Sequence, residues 1–260
     1  MKRNKFIFVP SLFTVLNMFS GFLAILNAMN EAYIQSAWFI ILAAIFDSLD
    51  GAMARLTKSA SEFGVELDSL ADVISFGVAP SILVYKFYFH EFGEIGIFLS
   101  SLLMIFGAMR LARFNVELVG FDKEFFKGLP IPSSASTVAS YIILFYNSES
   151  GMTNLEKYAL IPMVIALSLL MVSSIKYDTI PKLSLKSIKQ SPIKFLYFYL
   201  GLILAIITKG KIIFPWFVIF ILFGAIRSLI NTFKPALGLA GTTNYQDEDE
   251  NNPLPDDFQF

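Results

Sequence analysis

The sequence predicts an all-α protein, a polytopic membrane helix bundle with about eight transmembrane helices. Hydrophobic residues make up 55% of the 260 residues, and the mean hydropathy is +0.64. Charged residues account for 16% of the chain, whereas soluble domains average about a quarter. The apolar runs lack the alternation of membrane β-strands, and only helices or closed barrels can span lipid. A helix bundle is therefore the predicted fold.

Eight hydrophobic segments account for the predicted helices. Most have the length of about 20 residues that a helix needs to cross the hydrocarbon core, although the fifth and seventh are short. In chain order the segments are 9–29, 34–56, 65–88, 95–115, 133–147, 155–175, 194–208 and 212–231. We expect them to form one membrane domain over residues 1–235. Residues 236–260 carry an acidic run and little to bury, which predicts a disordered tail.

The distribution of basic residues predicts the orientation in the membrane. All but four of the 20 lysines and arginines fall on the side that holds the N-terminus; the four exceptions are Lys86, Lys157, Lys209 and Lys211. Because the side rich in Lys and Arg is normally cytoplasmic, we expect both termini in the cytoplasm. The predicted location is the cell membrane, with the site described below facing the cytoplasm.

Composition also excludes several classes of function. The net charge of −1 says little about function, and we do not expect nucleic acid as a partner. The chain has no cysteine, which excludes disulfides, thiol nucleophiles and thiolate metal sites. Its one histidine, His90, excludes mechanisms that need two histidines.

Four aspartates lie inside the second and third hydrophobic segments. Asp47 and Asp50 are three residues apart, and Asp68 and Asp72 are four apart, so each pair shares one face of a helix. The short turn between the segments makes the two helices antiparallel, and a rise of about 1.5 Å per residue brings all four carboxylates to a similar depth. A charged side chain inside a membrane costs roughly 2.5–3.5 kcal/mol, so a compensating partner is required.

Divalent cations are the partner that fits these carboxylates best. Oxygen ligands alone suit Mg²⁺ or Mn²⁺ rather than zinc or copper. Two cations fit better than one, because four carboxylates around a single octahedral ion leave few positions for a substrate. A structural ion-pair network is an alternative, but Arg55 and Lys58 are too few to pair four acids. A cation-transport site is another alternative, although nothing comparable lies near the opposite face.

Small residues accompany the aspartates. Gly51 and Ala54 leave room beside the acids for a bulky ligand, and Gly64 permits a close approach to a phosphate. Arg55 places a positive charge suited to a phosphate oxygen nearby. Simple helix packing is the alternative interpretation for Gly51 and Ala54.

The aspartates and small residues together resemble the motif D-x2-D-G-x2-A-R-x8-G-x3-D-x3-D of the CDP-alcohol phosphatidyltransferase family. Each fixed position is present at the family spacing, from Asp47 through Arg55 and Gly64 to Asp68 and Asp72. Further stretches resemble the phosphatidylserine synthase subgroup of this family, namely 10–17, 69–80, 110–115 and 127–132. The resemblance covers about residues 9–175.

This resemblance implies a membrane-embedded enzyme that uses two divalent cations, and it suggests a homodimer. Such an enzyme transfers a phosphatidyl group from CDP-diacylglycerol to an alcohol and releases CMP; the subgroup's acceptor is L-serine. The first cation would be held by Asp47, Asp50 and Asp68, and the second by Asp47, Asp68 and Asp72. The resemblance makes Asp72 the general base. It assigns the CDP site to Gly51, Ala54, Arg55 and Gly64.

The acceptor alcohol stays open at the level of the sequence. We expect Arg110 and Arg113 to provide positive charge near the acceptor or the phosphates, although the pair is equally suited to anchoring a helix end on the cytoplasmic side. The same two arginines suit a phosphorylated acceptor. Glycerol 3-phosphate and inositol phosphate are therefore alternatives to serine, and choline is a further alternative acceptor within the family.

Overall fold

The fold is a bundle of α-helices. The computed structural model describes residues 8–57, 62–119, 128–147, 149, 151–175, 177, 204–205 and 207–233. Within this part of the chain the structure consists of helices, short connections and an isolated β-bridge between Asn147 and Gly151. The predicted all-α class is confirmed.

Eight α-helices cover most of the described residues. They are α1 (Phe8–Met29), α2 (Tyr33–Thr57), α3 (Glu62–Asp72), α4 (Ala79–Phe87), α5 (Gly93–Val119), α6 (Ile131–Phe145), α7 (Asn154–Val172) and α8 (Ile213–Phe233). A π-helical segment, Val73–Val78, joins α3 to α4, and a 3₁₀ turn, Phe89–Phe92, joins α4 to α5.

Within the described residues, five stretches are long and apolar enough to cross a membrane. They are Leu12–Met29, Tyr33–Ala54, Phe63–Phe87, Phe89–Val116 and Asn154–Val172. Two shorter apolar helices, Ile131–Phe145 and Ile213–Ser228, accompany them. The protein is therefore a polytopic integral membrane protein. Most of the predicted segment 194–208 and the whole predicted tail, 236–260, lie outside the described residues.

Small side chains let α1 and α2 pack closely against each other. Ala24 and Ala28 on α1 and Ala37 and Ala43 on α2 are fully buried. The hydroxyl of Ser36 donates to the carbonyl of Ala24 across the helix pair, at 2.7 Å. Membrane helices associate through close backbone approach and interhelical hydrogen bonds of this kind. The result is an antiparallel hairpin that returns the end of α2 to the level where α1 begins.

A glycine allows α1 to approach the π-helical segment just as closely. A Cβ atom built on Gly21 would lie 2.7 Å from the Cα of Ser75, which is shorter than real side chains tolerate. Ser75 is fully buried, and its hydroxyl donates to the backbone carbonyl of Asn17 at 2.9 Å. Gly21 and Ser75 therefore fix the distance between α1 and the residues that follow α3.

Among the described helices, α6 is the most enclosed, and it is buried along most of its length from Ile131 to Ile143. Two of its hydroxyl groups bond within the helix: Thr137 donates to the carbonyl of Ser133 at 2.7 Å, and Ser140 to that of Thr137 at 3.1 Å. Such bonds let Ser and Thr side chains occupy an apolar interior. Helix α6 thus forms the centre against which α2, α7 and α8 pack.

Candidate active site

Three carboxylates meet between α2 and α3. One oxygen from each of Asp47, Asp68 and Asp72 lies within 4.8 Å of the other two. Asp47 is on the second half of α2, while Asp68 and Asp72 are one turn apart at the end of α3. Helix α1 packs against both α2 and α3. The cluster that forms there has the ligand atoms that a metal ion requires.

The fourth aspartate, Asp50, lies beside this cluster rather than within it. One of its oxygens, Oδ2, accepts a hydrogen bond from the hydroxyl of Thr14 on α1. Asp50 is only 7% exposed, and its charge acts electrostatically on both Asp47 and Asp68. Four acidic groups are therefore concentrated in one small, largely enclosed volume.

The oxygens of this volume fit a divalent cation. Among the described residues, the Oδ1 atoms of Asp50 and Asp68 are both buried and have no hydrogen-bond partner. Buried polar atoms are nearly always paired with a donor, a water molecule or an ion. A buried carboxylate oxygen without a partner is stabilised by a positive charge, and hard oxygen ligands prefer Mg²⁺ or Mn²⁺.

Asp72 is held in a defined orientation by α1. The side-chain amide of Asn17 donates to Oδ1 of Asp72 at 3.2 Å. Asn17 is fully buried, and Asp72 is 8% exposed. The π-helical segment begins at the residue after Asp72, and segments of this kind occur frequently at functional sites. Helix α1 therefore orients one carboxylate through Asn17 and another through Thr14.

Arg110 brings a positive charge to the same place. It lies on α5, is 8% exposed, and interacts electrostatically with Asp72. Its Nε is buried and has no hydrogen-bond partner within the described part of the chain. The charge of one of the two predicted arginines thus acts on a carboxylate of the acidic cluster.

Arg113 makes a different contact. Its Nη1 donates to the backbone carbonyl of Val172, the last residue of α7, at 3.2 Å. Gly128 lies next to it with φ of +91°, and the amide of Gly128 donates to the carbonyl of Ile175 at 2.8 Å. A residue with a side chain would be strained at that φ. Arg113 and Gly128 together join the end of α7 to α5.

A comparison with known families identifies the family of this chain. The family model described as CDP-alcohol phosphatidyltransferase matches residues 7–172. This range includes α1 through α7 and every carboxylate of the cluster. The chain belongs to the CDP-alcohol phosphatidyltransferase family. Its members are phosphotransferases. The family membership predicted from the aspartate motif is confirmed.

The chain is also similar in sequence to individual curated relatives. It is 36% identical to the CDP-diacylglycerol–serine O-phosphatidyltransferase of Helicobacter pylori over 234 residues, which are 90% of this chain and 96% of that protein. It is 41% identical to the archaetidylserine synthase of Methanothermobacter thermautotrophicus over 69% of this chain and 73% of that protein. The CDP-diacylglycerol–serine O-phosphatidyltransferase of Saccharomyces cerevisiae is 38% identical over 53% of this chain and 54% of its own.

The remaining motif residues of the family lie on the same two helices. Gly51 and Ala54 are partly buried near the end of α2, and Gly64 is partly buried on α3, one turn before Asp68. Helix α2 includes Arg55, but its side chain lies outside the described part of the structure. The nucleotide-binding roles of these four residues remain predictions.

Sequence reasoning missed two residues that contact the acidic cluster, Thr14 and Asn17. Both lie in the first hydrophobic segment, which resembles the family, but no role was predicted for either. A signal was present: two hydrogen-bonding side chains three residues apart share one face of an otherwise apolar helix. A polar face inside a membrane helix indicates a buried polar partner.

Proposed function

We propose that this protein transfers a phosphatidyl group from CDP-diacylglycerol to the hydroxyl of L-serine and releases CMP. The observation that carries the proposal is the cluster of Asp47, Asp68 and Asp72 within the family's aspartate motif. The choice of serine is supported by the relatives, which are named as serine phosphatidyltransferases or as an archaetidylserine synthase.

The four aspartates would hold two divalent cations, Mg²⁺ or Mn²⁺. Asp47, Asp50 and Asp68 are proposed to hold the first, and Asp47, Asp68 and Asp72 the second. When bound, the cations neutralise the charge of the pyrophosphate and of the departing CMP. The unpaired Oδ1 atoms of Asp50 and Asp68 support this assignment.

Asp72 is proposed to act as the general base. The Asn17 amide fixes its Oδ1, so the orientation of the carboxylate is set before a substrate binds. As the serine oxygen forms its bond to the lipid-side phosphorus, Asp72 accepts the hydroxyl proton, and the bond from that phosphorus to the oxygen of CMP breaks. A positioned general base typically contributes about 10²–10⁴-fold to a rate.

The chain's own serines near the site are not placed to act as nucleophiles. The hydroxyl of Ser48 donates to the carbonyl of Ala44 in its own helix, at 2.9 Å. Ser69 pairs with Asn115, whose amide donates to its oxygen at 3.0 Å. A nucleophilic serine needs an adjacent base to activate it. These contacts support direct displacement by the acceptor rather than a covalent enzyme intermediate.

The proposed reaction predicts a simple outcome for the purified protein. CMP release from CDP-diacylglycerol is expected to depend on L-serine and to remain at background with glycerol 3-phosphate, inositol phosphate or choline. CMP release with one of those alcohols but not with serine would show that the protein uses another acceptor of this family. Parallel assays with an ether-linked CDP-lipid would show whether the lipid specificity resembles that of the archaeal relative.

The site is proposed to face the cytoplasm of the cell membrane, in a homodimer. The π-helical segment and α4 carry the chain on the order of 20 Å from Asp72 to the exposed His90. Because the chain has no cysteine, His90→Cys is expected to react with an impermeant maleimide added outside spheroplasts. Labelling only after lysis would reverse the orientation.

Light scattering in detergent should give twice the chain mass of 29.1 kDa, because a homodimer is proposed.

A further inference from the structure

One buried serine, Ser75, connects helix α1 to the segment that follows Asp72. Its hydroxyl donates to the backbone carbonyl of Asn17 at 2.9 Å, and the side-chain amide of Asn17 donates to Oδ1 of Asp72 at 3.2 Å. Asp72 and Ser75 are only three residues apart in the chain. The two hydrogen bonds therefore close a ring, in which one short stretch holds Asn17 through both its backbone and its side chain.

This bond differs from the usual hydrogen bond of a serine inside a membrane helix. Such hydroxyls commonly bond to a carbonyl of the preceding turn, as Ser20 does with Leu16 and Ser168 does with Val164, both at 2.8 Å. A bond of that kind would satisfy the hydroxyl of Ser75 equally well. The bond to another helix therefore has a separate consequence, which is to fix α1 against the end of α3.

The backbone geometry around Ser75 permits this bond. The segment Val73–Val78 is π-helical, and its last hydrogen bond spans five residues rather than four. Because this wider turn starts directly after Asp72, it changes the direction of Ser75 relative to that carboxylate. On α1, a Cβ atom at Gly21 would lie 2.7 Å from the Cα of Ser75, so only a glycine allows the two segments to approach this closely.

We propose that Ser75 is a positioning residue for the general base and that it acts through Asn17. By fixing the Asn17 backbone, the Ser75 hydroxyl restricts where the Asn17 amide can lie, and that amide sets the orientation of the Asp72 carboxylate. Proton transfer depends on the distance and the angle between the base and the acceptor hydroxyl. This inference rests on the proposed function, because it concerns the transfer of the acceptor's proton to Asp72.

The first test is Ser75→Ala, which removes only the hydroxyl. The carbonyl of Asn17 keeps its bond within α1, because a helical carbonyl accepts from the amide four residues on, so the variant should fold. We expect kcat for CMP release with L-serine to fall about 3- to 10-fold, which is the range for one lost hydrogen bond. The KM values for L-serine and CDP-diacylglycerol should stay near wild type, because the role concerns the base and not substrate binding.

A double-mutant cycle separates positioning from a general effect on packing. In an Asp72→Asn background the base is absent, so adding Ser75→Ala should leave the residual rate unchanged. The same result is expected in an Asn17→Leu background, where the link between Ser75 and Asp72 is missing. A serine that only stabilises the fold would instead lower the rate by the same factor in all three backgrounds.

Ser36→Ala provides the matched control. Ser36 is also fully buried, and its hydroxyl also donates to a carbonyl of α1, that of Ala24, at 2.7 Å. Ala24 lies about 10 Å further along α1 than Asn17. The control variant therefore loses the same kind of bond away from Asp72, and its kcat should remain near that of the wild type.

Gly21→Ala tests the same contact by moving the segment instead of deleting the bond. The added methyl group would collide with Ser75, so α1 and the π-helical segment must separate. Because a displacement of about 1 Å can lower a rate about 100-fold, kcat should fall further than in Ser75→Ala. A wild-type kcat in Gly21→Ala would contradict the proposal.

The proposed function and the positioning role fail in different ways. If the unmodified protein releases no CMP with L-serine, the proposed function fails, and the positioning role fails with it. If the unmodified protein is active and Ser75→Ala has a wild-type kcat, only the positioning role is overturned. An equal loss of rate in the Asp72→Asn background would overturn it as well. Should Ser75→Ala fail to fold, the kcat of Gly21→Ala decides the proposal.

Discussion

Replacing Asp72 with asparagine is expected to lower serine-dependent CMP release by at least about 100-fold. The substitution keeps the size of the side chain and an oxygen that can accept from Asn17. It removes the negative charge that binds the serine proton and one proposed cation ligand. The measurement is kcat for CMP release, together with equilibrium binding of CDP-diacylglycerol, which should be largely retained.

The matched control for this variant is Glu66→Gln. Glu66 is an exposed acid on the same helix, α3, six residues before Asp72. Its conversion to the amide should leave kcat near the wild-type value. Turnover close to wild type in Asp72→Asn would remove Asp72 as the general base.

Removing divalent cations is expected to abolish activity, and Asp47→Asn should change the dependence on them. Asp47 contributes an oxygen to the three-carboxylate cluster, and its loss lowers the negative charge that attracts the ions. The Mg²⁺ or Mn²⁺ concentration for half-maximal activity should rise by about tenfold or more, since even indirect changes around a metal cost on the order of 10- to 100-fold in affinity.

The experiment is a titration of each cation into EDTA-treated wild-type and variant protein. Wild-type activity should return with Mg²⁺ or Mn²⁺, whereas Asp47→Asn should need a higher concentration of either ion. Glu66→Gln again provides the comparison, because it removes an acid outside the cluster. Full activity in excess EDTA would refute a role for divalent cations.

The convergence of the aspartates could be predicted because it depends on local geometry. Spacings of three and four residues place each pair on one helix face, and the sequence predicts a short connection between two antiparallel helices. These rules need no knowledge of the rest of the fold. Asp47, Asp68 and Asp72 meet as expected, and the offset of Asp50 reflects its hydrogen bond to Thr14 on a third helix.

The contribution of α1 could not be predicted in the same way. Thr14 and Asn17 are 36 and 55 residues from the aspartates that they contact, and hydropathy does not reveal which face of α1 meets which helix. The π-helical segment could not be predicted from the sequence for a similar reason. Residues 65–88 are one apolar run, and a change in backbone hydrogen bonding within it leaves no mark on the hydrophobic pattern.

The two arginines show the same limit. In the sequence, Arg110 and Arg113 form one pair of charges near the end of a helix. In the structure, the first is beside Asp72 and the second binds the carbonyl of Val172. What separates them is the position of the end of α7, which only the tertiary fold determines. Sequence patterns therefore identify the reacting groups here, and the fold identifies the groups that position them.

The central claim is that Asp47, Asp50, Asp68 and Asp72 hold two divalent cations at one site. Anomalous diffraction at the manganese edge, from crystals grown with Mn²⁺ and CDP-diacylglycerol, tests it directly. We expect two peaks roughly 3.5–4 Å apart, each coordinated by aspartate oxygens, with Asp47 and Asp68 between them. No peak near these carboxylates, or manganese bound only elsewhere in the protein, would contradict the account.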